Sequence, residues 1–216
     1  MPAQFVGERN DGDGVTGNDA DRTGRDGGKV VTQLHGKYYE ANSRGRVYTG
    51  SSASAGIALI VPGTGGGHPT LWNPAGSDVN VSIIRLEMSW VSGNNAPGAL
   101  EWAYVLNAGS THATGAPIAT ATIVAPVGVL GGVVTNKAKW SPTTNTFTAA
   151  PVFFRAAGIS LFTGIGTTAV APFMLRAEYD GDFVIAPGTA VCLCDQTTTT
   201  TAVFQVSVTW EEIPIS

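Results

Sequence analysis

Two cysteines and three histidines hold most of this chain's chemical capacity. Cys192 and Cys194, its only thiols, stand two apart in Val191-Cys192-Leu193-Cys194-Asp195. Residues i and i+2 of a strand share a face, so the two thiols project together. A disulfide between them would demand distorted geometry. Two thiolates could contribute to a metal site, but no histidine or further cysteine lies nearby in sequence. Free cysteine packs as a small hydrophobe, so the pair reads as reduced core residues, with no metal or other cofactor expected. His35, His68 and His112 lie on separate segments without metal-ligand spacing.

Other constellations carry less. Asp11-Gly12-Asp13-Gly14, with Asn18-Asp19-Ala20-Asp21 after it, has the composition of a calcium loop. Val15 stands where an oxygen ligand is needed, and no glutamate occupies the twelfth position. Gly63-Thr64-Gly65-Gly66-Gly67-His68 lacks the Gly-Lys-Ser/Thr that completes a phosphate cradle, and reads as a surface loop. No Gly-x-Ser-x-Gly elbow occurs, and no histidine begins a His-x-Asp/Glu pair. Asp180 and Asp182 flank a glycine and read as turn formers. No catalytic residue is assigned, and the expectation is a non-enzymatic protein.

Of five tryptophans, Trp90 and Trp210 fall on the apolar faces of their strands and read as core. Trp72, beside Asn73-Pro74, and Trp140, beside Ser141-Pro142, stand at strand ends and are the candidate surface contacts.

The elements that must position these residues read as strands. Phe204, Val206, Val208 and Trp210 alternate with Gln205, Ser207, Thr209 and Glu211, one face apolar and the other polar. Thr189 to Cys194 is apolar on both faces, as in a strand covered on both sides. The two runs read as one hairpin, with Thr197 to Thr201 at its tip. Val79 to Val91 is the best strand of the first half. Val81, Ile83, Arg85, Glu87, Ser89 and Val91 share one face, while the other is apolar from Ile84 onward. Further strands are expected at Val30–Glu40, 46–49, Ile57–Val61, 70–72, Ala99–Leu106, Ile118–Ala125, from Phe153 through Ile159 to Phe162, and Phe173–Tyr179. The stretches at 137–142 and 143–148 read as turns. No helical period competes, so the fold class is all-β, an antiparallel sandwich with jelly-roll winding as first choice.

At 216 residues the chain suits one large β-domain. Residues 1–28 hold three arginines against six acids and little that is apolar after Val6. That segment cannot offset its own ordering entropy, and is expected to be an extended polar arm that orders on a partner. Residues 29–216 form the single domain. Phe5, Arg9, Asp11, Asp13, Arg22 and Arg25 are the arm's candidate contacts. The remaining chain is near neutral, nine basic against ten acidic residues, which leaves no basic stripe for nucleic acid. The start of the chain lacks a signal-peptide pattern, and no apolar run reaches the ~20 residues of a bilayer span. Maturation in a cytoplasm, without membrane association, is the expectation. Charged residues are 13% of the chain, about half the usual share, as in a surface covered by partners.

Residues 30–215 resemble virion structural proteins of tailed bacteriophages, in particular β-rich head decoration (cement) proteins. The resemblance rests on His35-Gly36-Lys37-Tyr38-Tyr39-Glu40-Ala41, on Leu71-Trp72-Asn73-Pro74-Ala75-Gly76-Ser77, and on the ending from Ala186-Pro187-Gly188-Thr189 to Trp210-Glu211-Glu212. It implies a jelly roll or sandwich that forms a trimer on a capsid, assembled in the host cytoplasm. Its arms would clasp the major capsid protein or other virion proteins. It transfers no catalytic residue. A phage tail or spike component binding host glycans is the first rival, and a lectin-like or trimeric signalling sandwich the second.

Overall fold

The computed structural model describes residues 6–10, 16–20, 37–63, 68–93, 98–106, 124–126, 136–142, 147, 149–160, 174–196 and 202–215. Two compact units divide the chain at Lys37/Tyr38. In the first, β1 (Val6–Asn10) and β2 (Thr16–Ala20) pair antiparallel, Val6 opposite Ala20 and Asn10 opposite Thr16. Part of the expected open arm is thus a hairpin.

The second unit opens with a single helical turn, α1 (Tyr39–Ser43), where the tyrosines suggested a strand. Gly45, at φ 65°, ends it. Gly45 N donates to Asn42 O and Arg46 N to Ala41 O, both at 2.9 Å, the paired bonds of a Schellman stop. Then come β3 (Val47–Ser51), β4 (Thr70–Asn73), β5 (Val79–Ser92), β6 (Gly98–Leu106) and β7 (Val124–Pro126). They are followed by β8 (Lys139–Ser141), β9 (Val152–Ser160), β10 (Met174–Glu178), β11 (Val184–Ile185), β12 (Thr189–Asp195) and β13 (Val203–Pro214). Residues 139–141, read as turn, are therefore strand. Of the expected Ile57–Val61 strand only an isolated bridge, Ile57 to Phe204, is made.

The chain is all-β, as its periodicity predicts, and its second unit forms two antiparallel sheets. One runs β10-β5-β13-β3-β7 with β11 also on β5; the other runs β8-β4-β12-β6-β9. The apolar rows of both face inward. Leu71, Leu100, Trp102, Val191 and Leu193 of one sheet share a core with Ile83, Leu86, Phe204, Val208 and Trp210 of the other.

β12 and β13 are not a hairpin. Each is the centre of a different sheet, β12 between β4 and β6 and β13 between β3 and β5. The seven residues between them (196–202) are more than a tight turn needs and enough to cross the ~10 Å between packed sheets.

β5 carries a second departure. Its core residues change phase, from Val81 and Ile83 to Leu86 and Met88. Opposite them Trp210 pairs with Ile83 but Thr209 with Arg85, which leaves Ile84 as an extra residue. One inserted residue reverses which face every later side chain takes.

The β4–β5 turn is held by a buried side chain. Asn73 Nδ2 donates to Val79 O (2.8 Å) and Ile185 O (3.0 Å), and Ser77 Oγ donates to Asn73 Oδ1 (2.6 Å). Asn73→Ala is expected to lower stability by about 2 kcal/mol, because Ile185 O loses its Asn73 donor, Val79 O keeps only the longer bond from Ser77 Oγ (3.3 Å), and Ser77 Oγ loses its acceptor Asn73 Oδ1. Urea unfolding measures it, and an unchanged midpoint would refute the anchoring role.

Candidate functional site

Cys192 and Cys194 are buried, as expected of core thiols, but not in the main core. Val191 and Leu193 take that side, and the cysteines project from the opposite face of the sheet. There Ala103, Val105 and Phe147 pack with them. The register places their neighbours. In β6, Glu101 lies opposite Cys194 and Ala103 opposite Cys192. On the other flank Thr70 lies opposite Cys192, and Leu193 N donates to Pro69 O at 3.0 Å, so the ladder reaches His68 beside Cys194. One row therefore crosses three chain segments as His68, Cys194, Glu101.

Within it Cys194 Sγ lies 3.4 Å from His68 Nδ1 and 3.6 Å from Cys192 Sγ. Cys192 Sγ also reaches Ala103 O at 3.6 Å. All three donor atoms fall within 4.8 Å of one another, and all three residues are buried. Glu101 is buried in the same row and accepts from Gln196 Nε2 at 3.3 Å. The two thiols share one acidity. The hydrogen bond between them, then His68, brings Cys194 down to about 6 against the opposing effect of burial. The same bond, with burial, pushes Cys192 well above the ordinary thiol range. The cluster brings two thiol sulfurs and an imidazole nitrogen, all possible donors to a soft or borderline cation, into one buried row. Full burial leaves the Cys194 sulfur no approach for a substrate.

A second feature lies at one edge of the sandwich. β9 and β10 are the last strands on this side of their sheets. Val152 (56%), Phe153 (55%), Phe154 (48%) and Met174 (67%) are exposed there, as is Val184 (51%) of β11. Phe154, Tyr104, Phe183 and Val184 help line an open apolar cleft of ≈ 310 Å³. Phe183 packs edge-to-face with Trp102 and Tyr179, and the Trp102 indole N–H donates to the Tyr179 hydroxyl at 2.6 Å. Arg155, 5.3 Å over the Tyr179 ring, pairs with Asp182 at 2.8 Å. That hydrogen bond holds the Asp182 carboxyl below its ordinary range. Asp180 and Gly181 both have positive φ, and Asp182 N donates to Tyr179 O at 2.8 Å, so the carboxylates do flank a tight turn.

The other candidates fare unevenly. Trp140 is no surface contact: it is fully buried, its indole N–H donating to Ser51 O at 3.0 Å and its ring lying over Gly50. The glycine makes room for the ring, which Ser141-Pro142 could not foretell. Trp72 is half-buried on β4. His68, read as part of a surface loop, is fully buried. Arg9 lies in β1 opposite Gly17. Phe5, Asp11, Asp13, Arg22, Arg25, His35 and His112 lie outside the described residues. Sequence reading missed the His68–Cys194–Glu101 row because cross-strand neighbours far apart in the chain leave no local spacing.

No family model matches the chain, and no curated protein or solved structure matches it. Among the described residues no helix is long and apolar enough to cross a membrane.

Proposed function

We propose that this protein is a non-enzymatic structural component of a tailed-phage virion, a decoration protein that stabilises the head by bridging neighbouring capsomers. The exposed apolar edge formed by Val152, Phe153, Phe154 and Met174 carries the reading. Exposed apolar sheet edges are association surfaces, and the charges of this one, Arg155, Arg176 and Glu178, are already committed to ion pairs within the chain. The occupant we assign is a second copy of this chain, closing a trimer. The low charge content supports an assembly part, and a sandwich needs no reactive group to fill such a role.

Strand order supports jelly-roll winding. Leaving out the short β7, β8 and β11, the strands of one sheet run β3-β13-β5-β10 and those of the other β4-β12-β6-β9. Successive strands thus alternate between sheets, except that β6 and β9 stay together. Double-sheet rolls of eight strands recur in viral capsid proteins and lectins. The apolar lining of the cleft favours a protein side chain over a sugar, and so favours the decoration reading over a glycan-binding spike.

Light scattering on the purified protein is expected to give three times the chain mass of 22.2 kDa. Phe153→Lys with Met174→Lys, both at exposed positions, should return it to a folded monomer. A monomeric parent, or a doubly substituted protein that remains a trimer, removes the edge from the interface. Deleting residues 2–28 should abolish binding to assembled heads while leaving the trimer; undiminished binding would end the clasp role of the arm.

A further inference from the structure

We propose that Cys192, Cys194 and His68 form a structural site for a thiophilic divalent cation of the zinc class. Two of the three donor separations fit before any ion enters. Tetrahedral coordination with Zn–S near 2.3 Å and Zn–N near 2.0–2.1 Å sets sulfurs ~3.8 Å apart and sulfur and nitrogen ~3.5 Å apart. Here the corresponding separations are 3.6 Å and 3.4 Å, with all three atoms inside 4.8 Å. A linear two-sulfur site would need the sulfurs further apart, at twice the bond length.

Two other uses of the cluster fail on observations already made. A nucleophilic thiol must meet its substrate, and these sulfurs are buried. A disulfide needs sulfurs at about 2.05 Å, which an i, i+2 pair on one extended strand cannot reach without distortion. A metal taken up as the chain folds needs no later access and no such distortion.

The surroundings suit a structural ion. The donors sit on regular backbone: both cysteines lie in β12, flanked by two strands, and His68 is fixed through Pro69 O and by Thr70 Oγ1, which donates to His68 O at 2.9 Å. The Phe147 ring lies 5.8 Å from the imidazole and closes that side with apolar surface. The fourth position falls to water or to Glu101, whose carboxylate would have to turn from Gln196 toward the three donors. Binding would expel the protons of both thiols to solvent and leave two thiolates neutralised by the divalent charge. It would pin the start of β4 to β12.

Cobalt(II) tests this directly, since thiolate ligands give it an intense charge-transfer band that oxygen ligands do not. Tag-free protein is unfolded, reduced and refolded with cobalt, so that burial cannot block loading. The expected result is one tightly held cobalt per chain, with a two-thiolate charge-transfer band and tetrahedral ligand-field bands, all displaced by zinc. Cys192→Ser should about halve the charge-transfer intensity. His68→Ala should weaken binding by on the order of 100-fold while leaving the band in place at saturation. Refolded parent protein without a charge-transfer band at excess cobalt overturns the proposal, and needs no variant to fold. So does a band that survives Cys192→Ser together with Cys194→Ser, because the chain holds no other thiol and the band would then not report thiolate ligands.

Discussion

Gly50→Ala is expected to cost about 3 kcal/mol of folding free energy, the upper end of the usual overpacking range. An added Cβ would stand far inside van der Waals contact with Trp140 Cγ and under 3 Å from two more atoms of that ring. The ring cannot easily retreat. It is fully buried, and its N–H is committed to Ser51 O, one residue along the same strand. Nor can the backbone of Gly50 move freely, since β3 is paired on both sides, with β13 and β7. In urea unfolding the variant should lose about a third of the stability of a typical domain. Its melting temperature should fall by roughly 6–12 °C.

A partner substitution makes the cause testable. Trp140→Leu alone should cost about 3 kcal/mol through lost burial and a cavity. In the double variant the alanine methyl enters the space the indole leaves. The combined cost should therefore fall short of the sum by at least about 1 kcal/mol. Strict additivity would mean that Gly50 is required for some other reason.

The same pair marks how far sequence reasoning reached. Where burial follows from period alone, the residues announce it. Phe204, Val206, Val208 and Trp210 are all fully buried, and β12 is covered on both faces, as their patterns require. Three things stayed hidden, each non-local. Trp140 looked like the end of a strand because Ser141-Pro142 follows it, and the glycine that admits it comes ninety residues earlier. β12 and β13 looked like a hairpin because adjacent apolar strands usually pair, and nothing in either strand says which sheet it joins. The thiol–imidazole row depends on register across β4 and β12, which no spacing in the chain records. The phase change at Ile84 was visible as a shift of apolar residues from odd to even positions, and a bulge is its simplest cause.

Glu212→Ala is expected to destabilise the domain by about 3 kcal/mol. Glu212 follows Trp210 in phase, so its carboxylate continues the inward row of β13, where it is buried. Lys137 N donates to both carboxylate oxygens at 2.9 Å, Ala138 N to Oε1 at 2.8 Å and Trp210 Nε1 to Oε1 at 3.4 Å. This one side chain ties the segment before β8 to the last strand. Burying a carboxylate is itself costly, and replacing a buried charge can be neutral or stabilising. The donors decide the balance. Alanine leaves two backbone N–H groups and an indole N–H without their acceptor, at about 1–3 kcal/mol for each one that water cannot reach. Glu212→Gln separates the two effects, since it keeps the shape and one acceptor oxygen while removing the charge. If the hydrogen bonds dominate, glutamine should cost about 1 kcal/mol and alanine clearly more, and the amides of Lys137 and Ala138 should exchange faster in both. If desolvation dominates, glutamine should match or exceed the parent's stability with those two amides still protected, and the carboxylate would be a tolerated burden on the fold rather than its clasp.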